Sequence, residues 1–233
     1  VITWGPSSYG GDSRSVNAQL QSGVAQIFSA SQDFAALKSD GSVVTWGESW
    51  SGGNSSSVKA LLQSDVVQIF STYYAFAALK DDGSVVTWGD SGSGGDSSSV
   101  SNALQSGGAK IFSNASAFAA LKDDGSVITW GHSSYGGDSS SVSAQLQSGV
   151  AQIFSTDYAF AALKDNGSVI TWGNSDWGGD SNGVSDQLQS GVAQIFNNRS
   201  AFAALKEDGS VITWGNSSSG GDSSSVADQL QSG

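Results

Sequence analysis

The strongest constraint on this chain is its own repetition. Trp stands at 4, 46, 88, 130, 172 and 214, and each step is 42 residues. A fixed period of roughly 20–50 residues is the signature of a propeller, a solenoid or another repeat array. A unit of that size cannot bury an apolar face alone, so the core has to lie between neighbouring copies. The stretch FAALKSDGSVVTWG, from Phe34 to Gly47, returns with few changes from Phe76, Phe118, Phe160 and Phe202. It reads as a β-hairpin. An apolar run ends in Lys38, an Asp40-Gly41 pair follows, and a β-branched run closes on Trp46. Asp-Gly between two such runs predicts a tight two-residue turn with positive φ. Asn166 in place of Asp fits the same geometry.

The repeat also divides the chain. Residues 1–23 match residues 211–233, so the 233-residue chain holds a half unit (1–23) and five whole units. The whole units are 24–65, 66–107, 108–149, 150–191 and 192–233, and together they make one repeat domain. Each reads as strand a (VAQIF in the first unit), a short loop, strand b (FAALK), the turn, and strand c (SVVTWG). A Gly/Ser loop then leads to a segment such as DSNGVSDQLQSG, Asp180 to Gly191. Val184 and Leu188 are at helical spacing, Asp or Ser precedes them as an N-cap, and Gly191 follows as a left-handed C′ residue. This predicts a short helix, with an outer strand as the alternative. The recurrent aromatics Phe28, Phe34, Trp46 and their equivalents are expected to be core, not a ligand-stacking array.

Composition excludes several function classes. The formal charge is −12, which argues against nucleic acid or an anionic membrane as partner. No run of about 18 apolar residues is present, so membrane insertion is not expected. There is no Cys, which excludes disulfides, thiolate chemistry and Cys-based zinc sites, and leaves the redox compartment open. The chain has no Met and no signal peptide, and its opening on VITWG reads as a cut from something longer.

The hairpin, with the V-x-x-I strand before it (Val24/Ile27, Val66/Ile69), resembles the RCC1-like repeat. The shared core is carried by Ala78, Leu79, Asp82, Gly83, Val85, Trp88 and Gly89. The resemblance implies an all-β propeller, commonly seven-bladed. Known members act in nucleotide exchange, light sensing and inhibition of β-lactamases. The units also look like tandem arrays in large bacterial, especially cyanobacterial, surface proteins. The family's G-Q-L-G segment is replaced here by GGDS, as at Gly94 to Ser97, and the units are shorter than in the eukaryotic members. Both departures weaken any transfer of function. The expected fold is an RCC1-like propeller of about five blades, each with three strands plus a short helix or outer strand. An open β-solenoid of the same units is the alternative. Five units leave the half unit spare, six would lack half a blade, and a slice of a longer array is a further possibility.

Because the units are near copies, the positions that differ stand out. They fall in two loops, one after strand a and one after strand c. In an antiparallel meander these two loops share one face, opposite the constant Asp-Gly turns. Tyr9, Trp50, Tyr73, Tyr74, Tyr135, Tyr158 and Trp177 are the aromatic candidates on this face, and Arg199 lies in the same set of loops. Tyr and Trp among Ser and Asn are the composition of protein-made recognition surfaces. Drift in solvated loops is the competing reading. The first functional expectation is therefore a non-enzymatic recognition or adhesion module for protein or glycan, extracellular or at the cell surface. The alternatives are a structural array that self-associates through its terminal half units, and a proteinaceous enzyme inhibitor.

Other constellations carry less. Asp12, Asp96, Asp138, Asp180 and Asp222 of the GGDS segments could suggest calcium, but Asn54 replaces one of them, a swap neutral for a helix cap and costly for a carboxylate ligand. No metal and no cofactor are expected. His132 is the single His and lies in a variable loop, and abundant Ser with no recurring base is no nucleophile signal, so no catalytic residue is assigned.

Overall fold

Each whole unit folds into one three-stranded antiparallel sheet. The computed structural model describes residues 1–107 and 109–231. The first sheet is β1 (Val24–Ser29), β2 (Asp33–Lys38) and β3 (Val43–Gly47), and the second is β4 (Val66–Ser71), β5 (Ala75–Lys80) and β6 (Val85–Gly89). The third is β7 (Ala109–Ser113), β8 (Ala117–Lys122) and β9 (Val127–Gly131). The fourth is β10 (Val150–Ser155), β11 (Ala159–Lys164) and β12 (Val169–Gly173), and the fifth is β13 (Val192–Asn197), β14 (Ala201–Lys206) and β15 (Val211–Gly215). The middle strand is central in each sheet, which is why its FAAL run is apolar without alternation. The five sheets form the blades of a β-propeller, with β1, β4, β7, β10 and β13 adjacent in sequence order. Among the described residues no hydrogen bond joins the fifth blade to the first.

The core lies between blades, as the small unit demands. Ala117, Ala119, Leu121 and Val127 of the third blade pack with Ile153, Phe160, Ala162 and Trp172 of the fourth. Within a blade the cross-strand pair Phe118↔Trp130 stacks at 5.2 Å with a 20° interplanar angle, and the same pair recurs in every blade. The Trp130 indole N–H then donates to the Gly94 carbonyl of the preceding unit at 3.1 Å. This explains the paired glycines of GGDS. Gly94 has φ +97° and a Cβ there would sit 2.6 Å from the Phe118 ring, while one on Gly95 would sit 2.4 Å from the Gly89 carbonyl oxygen. The backbone passes too close for any side chain.

The ambiguous segment is helical, and it is a 3₁₀ helix rather than a strand: Asn182–Leu188 in the fourth unit, with equivalents such as Ser98–Leu104. Leu104 and its counterparts Leu20, Leu62, Leu146 and Leu188 are buried against the next blade. The aspartates do cap, from one position before the N-cap: Asp96 accepts the Ser98 N–H at 2.8 Å, and Asn54 accepts that of Ser56 at 3.0 Å. Gly191 does adopt positive φ (+72°), but it lies beyond the Gln189 C-cap by two residues, not one. In the last three units the recurrent lysine locks the helix end. Lys164 Nζ donates to the Gln145 carbonyl at 2.6 Å, and Lys206 Nζ to that of Gln187 at 2.7 Å.

The hairpin turn differs from the two-residue form expected. Gly41 N–H donates to the Lys38 carbonyl at 3.0 Å and Lys38 N–H to the Ser42 carbonyl at 2.9 Å. Gly41 has positive φ and Asp40 does not. This is a three-residue loop with Gly in the bulge position, the next commonest hairpin connection. Asp40 stays on the right-handed side because its carboxylate accepts the Ser42 N–H (3.0 Å) and hydroxyl (2.6 Å), which holds its pKa below the ordinary value.

One position strains the pattern. The residue before strand a is Gly at 23, 107, 149 and 191, all with positive φ, but Asp65 takes φ 68° at the equivalent place. A left-handed non-Gly residue costs about 1–2 kcal/mol, less for Asp. Asp65→Gly should therefore raise stability by up to about 1 kcal/mol, offset only slightly by losing the 3.8 Å pairing of the exposed Asp65 carboxylate with Lys80. A chemical denaturation midpoint unchanged or lowered in this variant would contradict the reading.

Candidate functional site at the loop face

The two variable loops share one rim. The first residue after strand c donates its N–H to the loop after strand a in each blade: Asp90 to Tyr74 (2.8 Å), His132 to Ser116 (2.9 Å) and Asn174 to Tyr158 (2.9 Å). The hairpin turns lie at the opposite end, where Val150 N–H donates to the Gly125 carbonyl of the preceding blade at 3.0 Å.

At the centre of the variable rim the five a–b loops converge on a funnel of about 520 Å³. Ser29, Ser71, Ser113, Ser155 and Asn197 line it, one from each blade. A chain of backbone hydrogen bonds runs round it between equivalent residues. Ser31 N–H donates to Tyr73, Tyr73 to Ala115, Ala115 to Asp157, and Asp157 to Arg199, at 2.8–3.0 Å. The loops are thus held rigid by backbone and free to vary in side chain.

A second fastener was not apparent from sequence. Thr72 Oγ1 accepts the Ala75 N–H (3.1 Å) and donates to the Ser93 carbonyl of the c–d loop (2.9 Å). Asn114 does the same with the Ala117 N–H (2.8 Å) and the Tyr135 carbonyl (2.7 Å). Thr156 and Asn198 repeat it. The signal available in sequence was the restriction of this position to Thr or Asn, two side chains that can both donate and accept. The first blade has Ala30 there, and no clamp.

The aromatic candidates fall into two runs. Trp50 lies 5.0 Å from Tyr74, and Tyr74 lies 6.2 Å from Tyr73, edge-on. In the other run His132 stacks on Tyr135 at 4.2 Å, Tyr135 meets Tyr158 at 4.4 Å, and Tyr158 meets Trp177 at 4.6 Å. Loop c–d of one blade thus reaches loop a–b of the next. Burial is uneven. Tyr9, Trp50 and Tyr73 are exposed, whereas Tyr74, Tyr135, Tyr158 and Trp177 are half-buried, with Trp177 against the core. Tyr9 sits in the half unit's own loop, in neither run.

Arg199 stands at the funnel mouth. Its Nε and a terminal nitrogen both lie 2.9 Å from Asp157 Oδ2, and that carboxylate raises the guanidinium pKa. Burial raises the Tyr158 phenol, with smaller contributions from nearby Tyr73 and Asp157. The face therefore offers one exposed cation, several phenols and indoles, and a polar funnel. Among the described residues no group of three or more His, Cys, Asp or Glu could hold a metal ion, and no helix is long and apolar enough to cross a membrane.

No protein-family model matches the sequence, and no curated protein matches it. Solved structures match in fold. Prp20p of Saccharomyces cerevisiae, described with its binding to Gsp1p and histones, is 17% identical with a TM-score of 0.51, over 82% of this chain and 57% of that one. Human WBSCR16 is 19% identical with a TM-score of 0.50, over 82% and 61%. Yeast RCC1 (Prp20) bound to Kap60 is 16% identical with a TM-score of 0.50, over 82% and 56%. The chain thus spans less than two-thirds of each of these proteins.

Proposed function

We propose, from the premise that this chain has the RCC1-like β-propeller repeat fold, that it is a non-enzymatic module that recognises a protein through its variable rim. The observation that carries the reading is the convergence of both variable loops on one rim. There exposed Trp50, Tyr73 and Arg199 stand on a backbone fastened by repeated hydrogen bonds. Rigid aromatic anchors and an Arg on a preorganised frame are the usual carriers of binding energy. Prp20p, of the same fold, binds Gsp1p and histones, which supports protein as the ligand class. A glycan would use the same exposed rings. An extracellular or cell-surface setting for adhesion, and inhibition of an enzyme, are narrower forms of this reading.

The test is a Trp50→Ala, Tyr73→Ala, Arg199→Ala variant, applied beside the parent to immobilised cell-surface proteins and to a glycan array. Retention on protein should fall at least tenfold while the melting temperature moves little, because all three side chains are exposed. Retention equal to the parent's on both supports would remove the reading. Selective loss on the glycan array alone would make the ligand a glycan.

A further inference from the structure

The tyrosines of the chain, Tyr9, Tyr73, Tyr74, Tyr135 and Tyr158, all lie in the rim loops, and one pair of them joins two internal blades. Tyr135 belongs to the c–d loop of the third blade and Tyr158 to the a–b loop of the fourth. Their ring centres are 4.4 Å apart at a 41° tilt. Ordinary aromatic pairs sit about 4.5–7 Å apart. Among the described residues the other tyrosine pair in contact, Tyr73 with Tyr74, is edge-on at 6.2 Å.

The fold presets this contact. His132 stacks on Tyr135 at 4.2 Å and Trp177 meets Tyr158 at 4.6 Å, so each phenol is held by a further ring. The backbone on both sides is pinned as well. The Tyr135 carbonyl accepts from Asn114 Nδ2 at 2.7 Å, and the Tyr158 carbonyl accepts the Asn174 N–H at 2.9 Å. Both phenols are half-buried, which shields them from a second molecule more than from each other. The chain also has neither Cys nor Met. With no sulfur to consume an oxidant, one-electron oxidation falls on its phenols and indoles.

We propose that Tyr135 and Tyr158 form an oxidative modification site. A peroxidase-type one-electron oxidant with hydrogen peroxide couples them into a dityrosine that bridges the third and fourth blades. Each phenol gives up one electron and one proton. The two tyrosyl radicals then join through one ortho carbon of each ring, and the hydrogen on each of those carbons shifts back to the phenol oxygen. In sum two ring C–H bonds break and one C–C bond forms. The two electrons and two protons released cleave the O–O bond of one peroxide and leave two waters. Directly joined rings have their centres about as far apart as these two, so the rings need to turn but not to approach. Coupling is therefore favoured by proximity over the random encounters open to the other phenols. The bond closes covalently a contact that already links one blade to the next, whatever the rim binds.

The test treats the dilute full chain with a haem peroxidase and limiting hydrogen peroxide. Dityrosine fluorescence should appear in a species that keeps the monomer mass of 23.6 kDa less two hydrogens. Trypsin leaves both tyrosines in residues 123–164, and a further cut before each aspartate separates 124–137 from 157–164. Mass spectrometry should recover those two peptides as one joined species. Tyr135→Phe and Tyr158→Phe keep the ring and its packing, and each should lower the yield of coupled monomer roughly tenfold or more. Tyr74→Phe should leave it unchanged. A folded parent chain that yields no joined peptide overturns the proposal. So does a Tyr135→Phe or Tyr158→Phe variant that keeps the parent's yield, or a Tyr74→Phe variant that loses as much as they do.

Discussion

Trp130→Ala is expected to destabilise the protein by about 3–5 kcal/mol, the usual range for truncating a buried aromatic. Trp130 is 2% exposed, stacks on Phe118 and donates to the Gly94 carbonyl. Truncation opens a cavity between the second and third units and leaves that buried carbonyl without its partner. Because each blade contacts only its neighbours, the damage sits at one junction. Urea unfolding should lose its single cooperative transition and split in two, with the halves on either side unfolding separately. Trp130→Phe keeps a stacked ring and loses only the N–H, so its loss should be smaller. Trp4→Ala, at an exposed copy of the same sequence position, should change stability by less than about 0.5 kcal/mol. Equal losses at Trp4 and Trp130 would show that the indole works within its own unit and not between units.

That contrast marks what the sequence could and could not disclose. The repeat spacing and the apolar FAAL run suffice for a three-stranded unit whose core lies between copies, and for two variable loops on one rim. They carry no information about the angle between successive blades, and so left open whether the fifth blade meets the first; among the described residues no hydrogen bond joins the two. The aspartates of GGDS were legible as caps because one Asn among them kept the only property a cap needs. The glycines before them were not legible, since their requirement comes from the Phe118 ring and the Gly89 carbonyl. Asp40-Gly41 points to a turn, yet whether the loop has two or three residues depends on which carbonyl Gly41 N–H reaches. At the rim, composition singled out the aromatics but not their exposure. Tyr135 and Tyr158 spend much of their surface on each other, whereas Trp50 and Tyr73 keep theirs for solvent.

The first blade breaks the repeat where Asp33 stands in place of Ala75, Ala117, Ala159 and Ala201, and Asp33→Ala should therefore stabilise the protein. Asp33 is 1% exposed and neither carboxylate oxygen has a hydrogen-bond partner; the neighbouring Ser51 hydroxyl is likewise buried and unpaired. Burial pushes the Asp33 pKa up, partly relieved by the nearness of Ser51 and of the Gly53 and Glu48 N–H groups. An unsatisfied buried polar group costs about 1–3 kcal/mol, and more when charged. Alanine fits the site in four other copies, so the substitution should gain that amount near neutral pH. The sign with pH follows from the direction of the shift. A carboxyl raised on folding imposes no penalty below its unfolded value and a growing one as pH rises through the folded value. The advantage of Asp33→Ala over the parent should accordingly be largest at neutral pH and shrink toward acid. The turn aspartates Asp40, Asp82, Asp124 and Asp208, whose pKa values are lowered, titrate the opposite way, but they are common to both proteins and cancel in the difference. Denaturation of both proteins across that pH range measures the gap directly. A gap that is constant with pH, or a variant less stable than the parent at neutral pH, would mean that Asp33 is paired in solution. The residue would then be a working substitute for the Thr or Asn clamp that Ala30 cannot supply.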